Sequence, residues 1–518
     1  MNRKALLNRI VSEKQPWDVI VIGGGATGLG VALDSVSRGY RTVLLEQHDF
    51  AKATSSRSTK IAHGGVRYMQ QADFALVYEA LHERGRMIQN APHLVYPLKY
   101  IIPTAHYWEL PFFGIGLKFY DALSGRSSLG PSLILSKKQT LEHLPTLNPD
   151  KLVGGILYMD GQFDDARLAL TLALTTADLG GVPLNYCPVD SLLKTDGRVD
   201  GVAAHDAFTG EKFELRAKIV INATGIFTDF IRRMDEPHAE QMLSVSQGTH
   251  IVVDGSFLPS TTALMIPKTD DGRLLFGIPW YGKLVIGTTD IPMKDIPIEP
   301  KPLKEEIDFL VKHSSRYLTR PIRHEDILSV FAGLRPLVRA KGASTTSKLS
   351  RTHRIEVSDA KLLTITGGKW TTYRRMAQDT MDEAIKVAGL AHKPTGTKDL
   401  PLHGAMETPD RSPNSVYGSD IAKIEKLGDQ EPGLNEKIHP NLPYTYAECL
   451  WSIREEMGAT LEDVLSRRTR SLLLDARASM EAAPKVARLI ARELGHDSKW
   501  EQEQVAEYLE LAKSYLPA

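Results

Sequence analysis

The sequence predicts an α/β fold that is interrupted by an antiparallel sheet and followed by a helical region. Residues 18–46 show the order strand, glycine-rich turn, helix and strand that is typical of parallel α/β units. Between residues 250 and 290 the apolar residues change to short alternating runs, which favour antiparallel strands. From residue 446 onward the apolar spacing is helical. These three patterns predict the three parts of the fold.

The glycine-rich turn indicates a nucleotide site. A buried strand, residues 19–22, is followed by glycines at G-x-G-x-x-G spacing. Gly23 and Gly25 allow a tight turn and let the backbone approach a pyrophosphate, and Gly28 lets the helix of residues 26–38 pack close to the strand. The first amides of that helix favour a phosphate anion. A glycine-rich turn without a ligand is the alternative.

A second buried strand, residues 42–45, ends on an acid, Glu46. An acid at this place can accept hydrogen bonds from the two ribose hydroxyls of an adenosine. The ordered set of strand, glycines, helix, strand and acid is far more specific than the glycine spacing alone. We therefore expect a dinucleotide-binding domain of the Rossmann type.

Composition and charge limit the classes of protein. The chain of 518 residues exceeds the about 100–200 residues of one domain. Lysine and arginine balance aspartate and glutamate, 63 against 63, so no electrostatic argument favours nucleic acid. Cys187 and Cys449 are far apart, which fits a reducing compartment and excludes a disulfide framework. Because the longest apolar run is short and glycine-rich, and the N-terminus lacks a signal-peptide core, we expect neither a membrane span nor a leader.

Apolar spacing places the other elements in order. Residues 1–16 predict a short basic helix, expected to be solvated, with contact to a membrane surface as the alternative. Residues 92–136 give no simple assignment, and the proline, glycine and charge content of 391–445 predicts an irregular linker. Helices are predicted at 74–91, 303–318, 446–457, 460–476, 483–494 and 500–515, and strands near 183–192 and at 218–222, 250–253, 263–266, 273–276 and 283–286.

Two charged clusters are expected to be structural. Asp164 and Asp165 lie in the first turn of a predicted helix, where acidic side chains suit the helix dipole. A group of arginines in the C-terminal region predicts a solvated or inter-domain face, with contact to anionic lipid as the alternative. These arginines are Arg467, Arg468, Arg470 and Arg477.

The loop after Glu46 is dense in hydroxyl side chains. Such a loop can hydrogen-bond phosphate and ribityl oxygens, although a plain polar loop is the alternative for this stretch alone. Its hydroxyl residues are Thr54, Ser55, Ser56, Ser58 and Thr59, and His63, Gly64 and Gly65 follow.

In combination these motifs point to one family. G-G-G-A-T-G at 23–28, taken with A-T-S-S-x-S-x-K-x-x-H-G-G-V-R-Y at 53–68, resembles the FAD-dependent glycerol-3-phosphate dehydrogenases. The resemblance extends from Trp17 to Ala518 and includes A-T-G at 223–225. It implies FAD without a metal, in a discontinuous Rossmann-like domain with an inserted antiparallel substrate domain. The expected boundaries are 17–75, 151–240 and 330–390 for the FAD domain, 76–150 and 241–329 for the substrate domain, 391–445 for the linker and 446–518 for the helical domain.

The resemblance also implies an activity and a location. The family oxidises sn-glycerol 3-phosphate to dihydroxyacetone phosphate and passes the electrons to a membrane quinone. We therefore expect a cytoplasmic protein that is peripheral on the cytoplasmic face of the inner membrane. A homodimer is left open.

The motifs and the resemblance together give the expected FAD contacts. A strand that ends in Gly367 and Gly368 is followed by a helix near Trp370, whose N-terminus can face the flavin edge that gains negative charge on reduction. The full set is Gly23, Gly25, Thr27, Gly28, Glu46, Thr54, Ser55, Ser56, Ser58, His63, Gly64, Gly65, Val189, Ala223, Gly225, Gly333, Gly368, Lys369, Trp370 and Thr371.

The expected substrate site combines a base with cations. Oxidation of a secondary alcohol needs a base for the hydroxyl proton, and His250 is the candidate because histidine titrates near neutral pH. A phosphate dianion calls for arginine and lysine donors. We expect His250, Arg335 and Lys369 to be catalytic, and which cation binds phosphate stays open. By resemblance the substrate contacts are Arg67, Tyr68, His250, Thr289, Arg335 and Lys369.

Some positions depart from the family pattern. Ile226-Phe227 stand where the family often has Pro-Trp, Gln247 replaces a basic residue, and Trp370 replaces a smaller aliphatic residue. No long insertion of the oxidase branch is present, so a dehydrogenase is favoured. The alternatives are a flavin-dependent 2-hydroxy-acid or amine oxidase of the same architecture, and a non-catalytic FAD-binding or RNA-associated module.

Overall fold

Two β-sheets and their covering helices form the protein. The structure is a computed structural model that describes residues 1–65, 74–339, 353–407 and 411–517. Within these ranges the strands form one eight-stranded and one ten-stranded sheet. The predicted α/β class, with a Rossmann-like part, a second sheet and a C-terminal helical region, is confirmed.

The first sheet has a parallel core, as the glycine motif predicts. The strand Trp17–Ile22 lies between Lys212–Asn222 and Thr42–Leu45 and is parallel to both. From Val19 to Ile22 its side chains are apolar on both faces, because helices cover both sides of such a sheet. In order across the sheet the strands are His353–Val357, Leu363–Gly367, Lys212–Asn222, Trp17–Ile22, Thr42–Leu45 and Val182–Leu184, with the hairpin Val189–Thr195 and Arg198–His205 attached to Lys212–Asn222.

The second sheet is mixed rather than purely antiparallel. Most of its pairs are antiparallel, but Thr262–Ile266 runs parallel to Val95–Thr104, within the stretch 92–136 that the sequence left unassigned. Its strands are Ile61–Ala62, Val95–Thr104, Leu133–Ser136, Gly154–Phe163, Leu243–Asp254, Thr262–Ile266, Leu275–Trp280, Lys283–Gly287, Ile291–Met293 and Ile327–Val338.

Two strands of this second sheet differ from the expected domain boundaries. Gly154–Phe163 and Ile327–Val338 fall wholly or mostly in the segments expected for the FAD domain, yet both pair within the second sheet. The reason is that their partners, Leu243–Asp254 and Val95–Thr104, lie far away in sequence. Pairing between strands so far apart in sequence cannot be predicted from the pattern of neighbouring residues.

Several helices follow the predicted spacing closely, among them Phe74–Asn90, Lys304–Ser315, Tyr446–Arg454 and Ser498–Lys513. Helix Ala26–Ser37 starts directly after the glycine turn and packs against helices Tyr373–Ala388 and Asp165–Asp178. The carboxylate of Asp164 caps Asp165–Asp178 by accepting from the amide of Arg167, as the structural interpretation of that acid predicts. The helices are Arg3–Ser12, Ala26–Ser37, Phe74–Asn90, Glu109–Ser124, Lys137–His143, Asp165–Asp178, Thr228–Asp235, Lys304–Ser315, Tyr373–Ala388, Ile421–Gly428, Tyr446–Arg454, Ser471–Leu474, Ala476–Leu494 and Ser498–Lys513.

The N-terminal helix is not a solvated appendage. In Arg3–Ser12, Leu7 and Ile10 are buried in the core. The guanidinium of Arg3 donates to the carboxylate of Asp206 at 2.6 Å and to the carbonyl oxygen of Asn185. The helix is therefore solvated on its polar face only, because Leu7 and Ile10 pack against the core while Lys4, Asn8 and Arg9 remain exposed.

The C-terminal region differs from its prediction in two places. The expected linker 391–445 is packed, with Tyr417 and Leu442 buried and a helix at Ile421–Gly428, because apolar residues between its prolines and glycines reach the core. The expected helix 460–476 breaks at Arg470, which has a left-handed backbone with φ of 58°. The short helix Ser471–Leu474 follows, and then Ala476–Leu494 starts from a side-chain cap by Asp475.

Candidate active site

Two cavities meet at the junction of the two sheets. The dinucleotide cavity has a volume of about 450 Å³ and lies beside the glycine turn, Glu46 and Gly225. The reaction cavity has a volume of about 330 Å³ and is lined by His250 and Arg335. Residues common to both linings join them into one cleft, and these are Thr54, Pro336, Gly368, Lys369 and Trp370.

The glycine turn brings bare backbone to the dinucleotide cavity. Gly23 has φ of 111°, and a Cβ atom there would lie 2.7 Å from the carbonyl oxygen of Ala223. Helix Ala26–Ser37 begins at the cavity, where the amide of Ala26 donates to the hydroxyl of Ser55 at 2.9 Å. The turn, the helix N-terminus and the hydroxyl loop therefore offer a cradle for a pyrophosphate.

Glu46 is held at the end of its strand by two backbone amides. The amide of Gly24 donates to Oε2 at 2.5 Å, and the amide of His48 donates to Oε1 at 2.9 Å. Removal from bulk water raises the pKa of the Glu46 carboxyl, and these two bonds oppose the rise. Each oxygen retains a lone pair for a ribose hydroxyl.

Most of the predicted cofactor residues line one of the two cavities. Three do not: Gly28 packs against the carbonyl of Gly23, Gly64 packs against Leu81, and the carbonyl of Ser56 accepts from Lys60. Those in the dinucleotide cavity are Gly23, Gly25, Thr27, Glu46, Thr54, Ser55, Val189, Ala223, Gly225, Gly368, Lys369 and Trp370, and those only in the reaction cavity are Ser58, His63, Gly65, Gly333 and Thr371.

His250 lies on the strand Leu243–Asp254 and faces the reaction cavity. Its side chain is buried, its ring stacks on Phe331 with centroids 4.6 Å apart, and its Nε2 lies 2.9 Å from the hydroxyl of Thr59. A Cβ atom on Gly287 of the neighbouring strand would collide with the imidazole, so glycine is required there. Burial lowers the pKa of His250 well below its usual value, and the positive charges of Lys60 and Arg335 lower it further. The lowered pKa favours the uncharged imidazole, which is the form that a general base requires.

Arg335 shares a face of the sheet with His250. His250 pairs with Phe331, and Ser246 pairs with Arg335, four residues along the same ladder. Because side chains alternate with a period of two, those of His250 and Arg335 project from the same face of the sheet. The guanidinium of Arg335 donates to the hydroxyl of Thr288 at 3.0 Å and to the carboxylate of Asp290 at 3.3 Å. These bonds hold it at the cavity wall.

The hydroxyl of Thr289, an expected substrate contact, is engaged by the protein. It donates to the carboxylate of Glu306 at 2.5 Å and accepts from the amide of Thr249 at 2.8 Å. The carbonyl oxygen of Thr289 accepts from Arg335 at 3.1 Å. Thr289 lines the reaction cavity, but its hydroxyl is mainly occupied in fixing the strand end that supports Arg335.

Lys369 lies where the two cavities meet. It follows Gly367 and Gly368 and precedes the turn Trp370–Thr372, which leads into helix Tyr373–Ala388. The indole nitrogen of Trp370 donates to the carbonyl of Ser55 at 3.0 Å and so ties this turn to the hydroxyl loop. The structure thus brings His250, Thr289, Arg335 and Lys369 to one cavity. Arg67 and Tyr68 lie outside the described residues.

The reaction cavity also contains residues that the sequence did not reveal. Tyr158 and Asp160 face it from alternate positions of Gly154–Phe163, and Arg273 lines it from the loop just before the strand Leu275–Trp280. Thr59 lines it within the hydroxyl loop and contacts His250. Thr59 belongs to the hydroxyl loop that the sequence had singled out, and Tyr158, Asp160 and Arg273 were not predicted as site residues.

The sequence is similar to those of known FAD-dependent oxidoreductases. The sequence matches the family model of FAD-dependent oxidoreductases over residues 18–373, and that of the C-terminal domain of alpha-glycerophosphate oxidase over residues 358–504. It is 41% identical to the mitochondrial glycerol-3-phosphate dehydrogenase of Homo sapiens, over 96% of this chain and 73% of the relative. It is 38% identical to that of Schizosaccharomyces pombe, over 96% of this chain and 87% of the relative.

Solved structures of two flavoproteins are also similar to this chain, one of them in fold alone. The glycerol-3-phosphate dehydrogenase of Bacillus halodurans, complexed with FAD, has a TM-score of 0.81 at 29% identity and covers 99% of this chain and 98% of its own. The glycine oxidase of Bacillus cereus has a TM-score of 0.52 at 16% identity, over 73% of this chain and 96% of its own, and shares the fold alone.

Proposed function

The chain belongs to the family of FAD-dependent glycerol-3-phosphate dehydrogenases, and from this premise we propose that it oxidises sn-glycerol 3-phosphate to dihydroxyacetone phosphate. The observation that carries the proposal is that His250, Arg335 and Lys369 line one cavity that opens into the dinucleotide cavity. A base and two cations beside the redox cofactor are what a phosphorylated secondary alcohol requires.

FAD is the cofactor, and the residues of the dinucleotide cavity fit it. The turn at Gly23 leaves room where a Cβ atom would touch Ala223, and Ala26 and Thr27, at the start of helix Ala26–Ser37, line the same space. Glu46 would accept from the ribose, and Val189 and Gly225 would line the adenine side and the middle of the cofactor. When bound, FAD supplies the acceptor for the hydride that leaves C2 of the substrate.

We expect the Glu46→Ala variant to retain FAD less well, by about 1–3 kcal/mol of binding free energy, because ribose hydrogen bonds to a charged acceptor are lost. The measurement is the dissociation constant of FAD, followed by the fluorescence of released flavin. Glu214→Ala is a matched control, since Glu214 is an exposed acid on the strand Lys212–Asn222 of the same sheet. Equal affinities in the two variants would remove Glu46 from the cofactor site.

The protein's own side chains have separate roles in the proposed reaction. His250, neutral because burial lowers its pKa, takes the proton of the C2 hydroxyl. Arg335 and Lys369 bind the phosphate dianion and place C2 in the cavity, at its junction with the dinucleotide cavity. Thr59 contacts Nε2 of His250 and keeps the ring oriented.

For the electron acceptor we propose a membrane quinone, supported by an apolar surface on helix Glu109–Ser124. This apolar surface consists of Tyr107, Trp108, Phe112, Ile115 and Phe119, which are 47–80% exposed. The last four recur at helical spacing and so share one face. Such a patch on a protein surface is typical of contact with a membrane or partner.

The helix with the apolar surface contacts a residue of the reaction-cavity wall. Its buried Tyr120 donates to the carboxylate of Asp160 at 2.9 Å, and Asp160 lines that cavity. A quinone that reached the apolar surface from the bilayer would therefore lie about one helix diameter, roughly 10 Å, from the cavity wall. No helix of the described ranges is both long and apolar enough to span a bilayer. We propose peripheral attachment, with the cytoplasmic face of an inner membrane as the expected location.

Ile115→Glu is expected to weaken vesicle binding and quinone reduction several-fold, while reduction of the bound flavin by substrate is unchanged. A buried charge opposes insertion of the apolar surface into lipid. The measurements are co-sedimentation with lipid vesicles and turnover with a membrane quinone. Leu494→Glu is the control, because Leu494 is an exposed leucine at the end of another helix. If both variants bind vesicles like the wild type, the apolar surface does not contact the membrane.

The proposed reaction is tested by its products. Incubation with sn-glycerol 3-phosphate and a soluble quinone analogue should yield dihydroxyacetone phosphate and quinol in equal amounts. Faster turnover of glycine, sarcosine or 2-hydroxyglutarate would instead support an amine or 2-hydroxy-acid oxidase. No turnover of any of these, with FAD bound, would support a non-catalytic FAD-binding module.

A further inference from the structure

Three arginines of the C-terminal helical region reach into the cofactor-lining segment, defined as residues 46–60. Arg467, Arg468 and Arg470 are 4%, 1% and 1% exposed. Within the segment, Asp49 is fully buried and accepts from Nε of Arg467 at 2.6 Å and from Nη2 of Arg468 at 2.9 Å. These two arginines hold the pKa of Asp49 below its usual value against the opposite effect of burial. One end of the segment is therefore fixed by charges from another part of the chain.

The other end of the segment is fixed by Arg470. Its guanidinium donates to the carbonyl of Ser56 at 2.8 Å and to the carboxylate of Asp165 at 2.9 Å. The ammonium of Lys60 donates to the same two groups, at 2.9 Å and 2.7 Å. The left-handed backbone at Arg470 breaks the helix at this residue. Arg470 and Lys60 thus share two buried acceptors, and Lys60 is itself part of the segment.

Between and beside these two anchors lie side chains that face the two cavities. Thr54 and Ser55 lie between them and line the dinucleotide cavity. Glu46, just before Asp49, lines the same cavity, and Thr59, just before Lys60, contacts His250 in the reaction cavity. A further pair, Lys52 with Glu462 at 2.6 Å, joins the middle of the segment to the C-terminal region. The shape of the cofactor site therefore depends on the C-terminal region being docked.

We infer that the C-terminal helical region clamps the cofactor-lining segment through Arg467, Arg468 and Arg470, so that its docking and FAD binding are thermodynamically coupled. FAD that fits only the clamped segment must stabilise the docked region, and by linkage the docked region must raise the affinity for FAD. The three arginines are positioning residues, since none of them lines either cavity. The inference rests on FAD as cofactor and does not depend on the substrate.

The first test measures the affinity for FAD in two variants, each of which removes the arginine of one anchor. Arg467→Met leaves Asp49 paired with Arg468 and leaves Asp463, the other buried acid that Arg467 contacts, hydrogen-bonded by Tyr186. Arg470→Met leaves Asp165 paired with Lys60, so every buried acid retains a partner. We expect the dissociation constant of FAD to rise about 10- to 100-fold, the size of one lost charged hydrogen bond. Glu456→Gln is the matched control, because its buried pair with Arg167 joins the C-terminal region to the helix Asp165–Asp178 outside the segment.

The second test measures directly whether FAD binding stabilises the docked C-terminal region. Hydrogen exchange is compared between holoenzyme and FAD-depleted enzyme, in the wild type and in the two arginine variants. We expect bound FAD to slow hydrogen exchange in residues 461–475 of the wild type. In the two arginine variants, most of this protection by FAD should be absent. If FAD protects only residues 46–60, or if Glu456→Gln weakens FAD as much as the arginine variants do, the clamp is wrong and these pairs only stabilise the fold.

Discussion

Replacing His250 with asparagine is expected to slow reduction of the bound flavin by glycerol 3-phosphate about 10²- to 10⁴-fold, the usual contribution of a general base. Asparagine preserves a polar side chain of similar size but cannot take the proton of the C2 hydroxyl. FAD binding should be unchanged, because His250 lines only the reaction cavity. The rate is measured in single turnovers under anaerobic conditions.

The pH dependence gives an independent test of His250. Because burial and two neighbouring positive charges lower its pKa, the wild-type rate should be constant through neutral pH and fall only on acidification, as the imidazole gains a proton. The asparagine variant should lack this acidic decline. His205→Asn is the control, since His205 is paired with Asp190 on an exposed hairpin. An unchanged rate in the His250 variant would shift the search for the base to Lys369 or a bound water.

Arg335→Lys is expected to lower kcat/KM for glycerol 3-phosphate by about two orders of magnitude. A lysine keeps the charge but not the planar pair of donors that matches a phosphate. A phosphate that is held less firmly also places C2 less accurately, which adds to the loss. In the structure one Nη atom of Arg335 bonds Thr288 while the other bonds Asp290, a fork that lysine cannot reproduce.

Glycerol and competing anions test whether Arg335 binds the phosphate group of the substrate. Glycerol should be a very poor substrate of the wild type, and inorganic phosphate or sulfate should compete with glycerol 3-phosphate less strongly in the variant. Arg339→Lys is the control, because Arg339 donates to Ser244 on the exposed side just beyond the same strand. If glycerol matches glycerol 3-phosphate, or if 2-hydroxyglutarate exceeds both, Arg335 does not bind a phosphate.

The sequence predicted those parts of the site whose geometry is determined by residues close together in the chain. The turn at Gly23 and the acid at Glu46 belong to one short strand–helix–strand unit, whose geometry follows from neighbouring residues. His250 and Arg335 were predicted as single residues by resemblance. Their common face follows only from the register of two strands that lie about 80 residues apart, which no local pattern contains.

The missed features arise from contacts between distant segments. Arg470 meets Ser56 across 414 positions of sequence, and its left-handed backbone ends a helix that apolar spacing alone would continue. Thr289 lines the reaction cavity, and the buried Glu306 that engages its hydroxyl was not predicted. The prolines and glycines of 391–445 predicted a linker, but Tyr417 and Leu442 pack into the core. In each case a tertiary partner decides the outcome.

The most direct test of the proposed function is anaerobic addition of sn-glycerol 3-phosphate to the FAD-loaded protein while the visible flavin absorbance is recorded. The account predicts rapid and complete bleaching with one equivalent of dihydroxyacetone phosphate formed per FAD, and little bleaching with glycerol, glycine or 2-hydroxyglutarate. A flavin that stays oxidised with glycerol 3-phosphate but bleaches with one of the other compounds would contradict it.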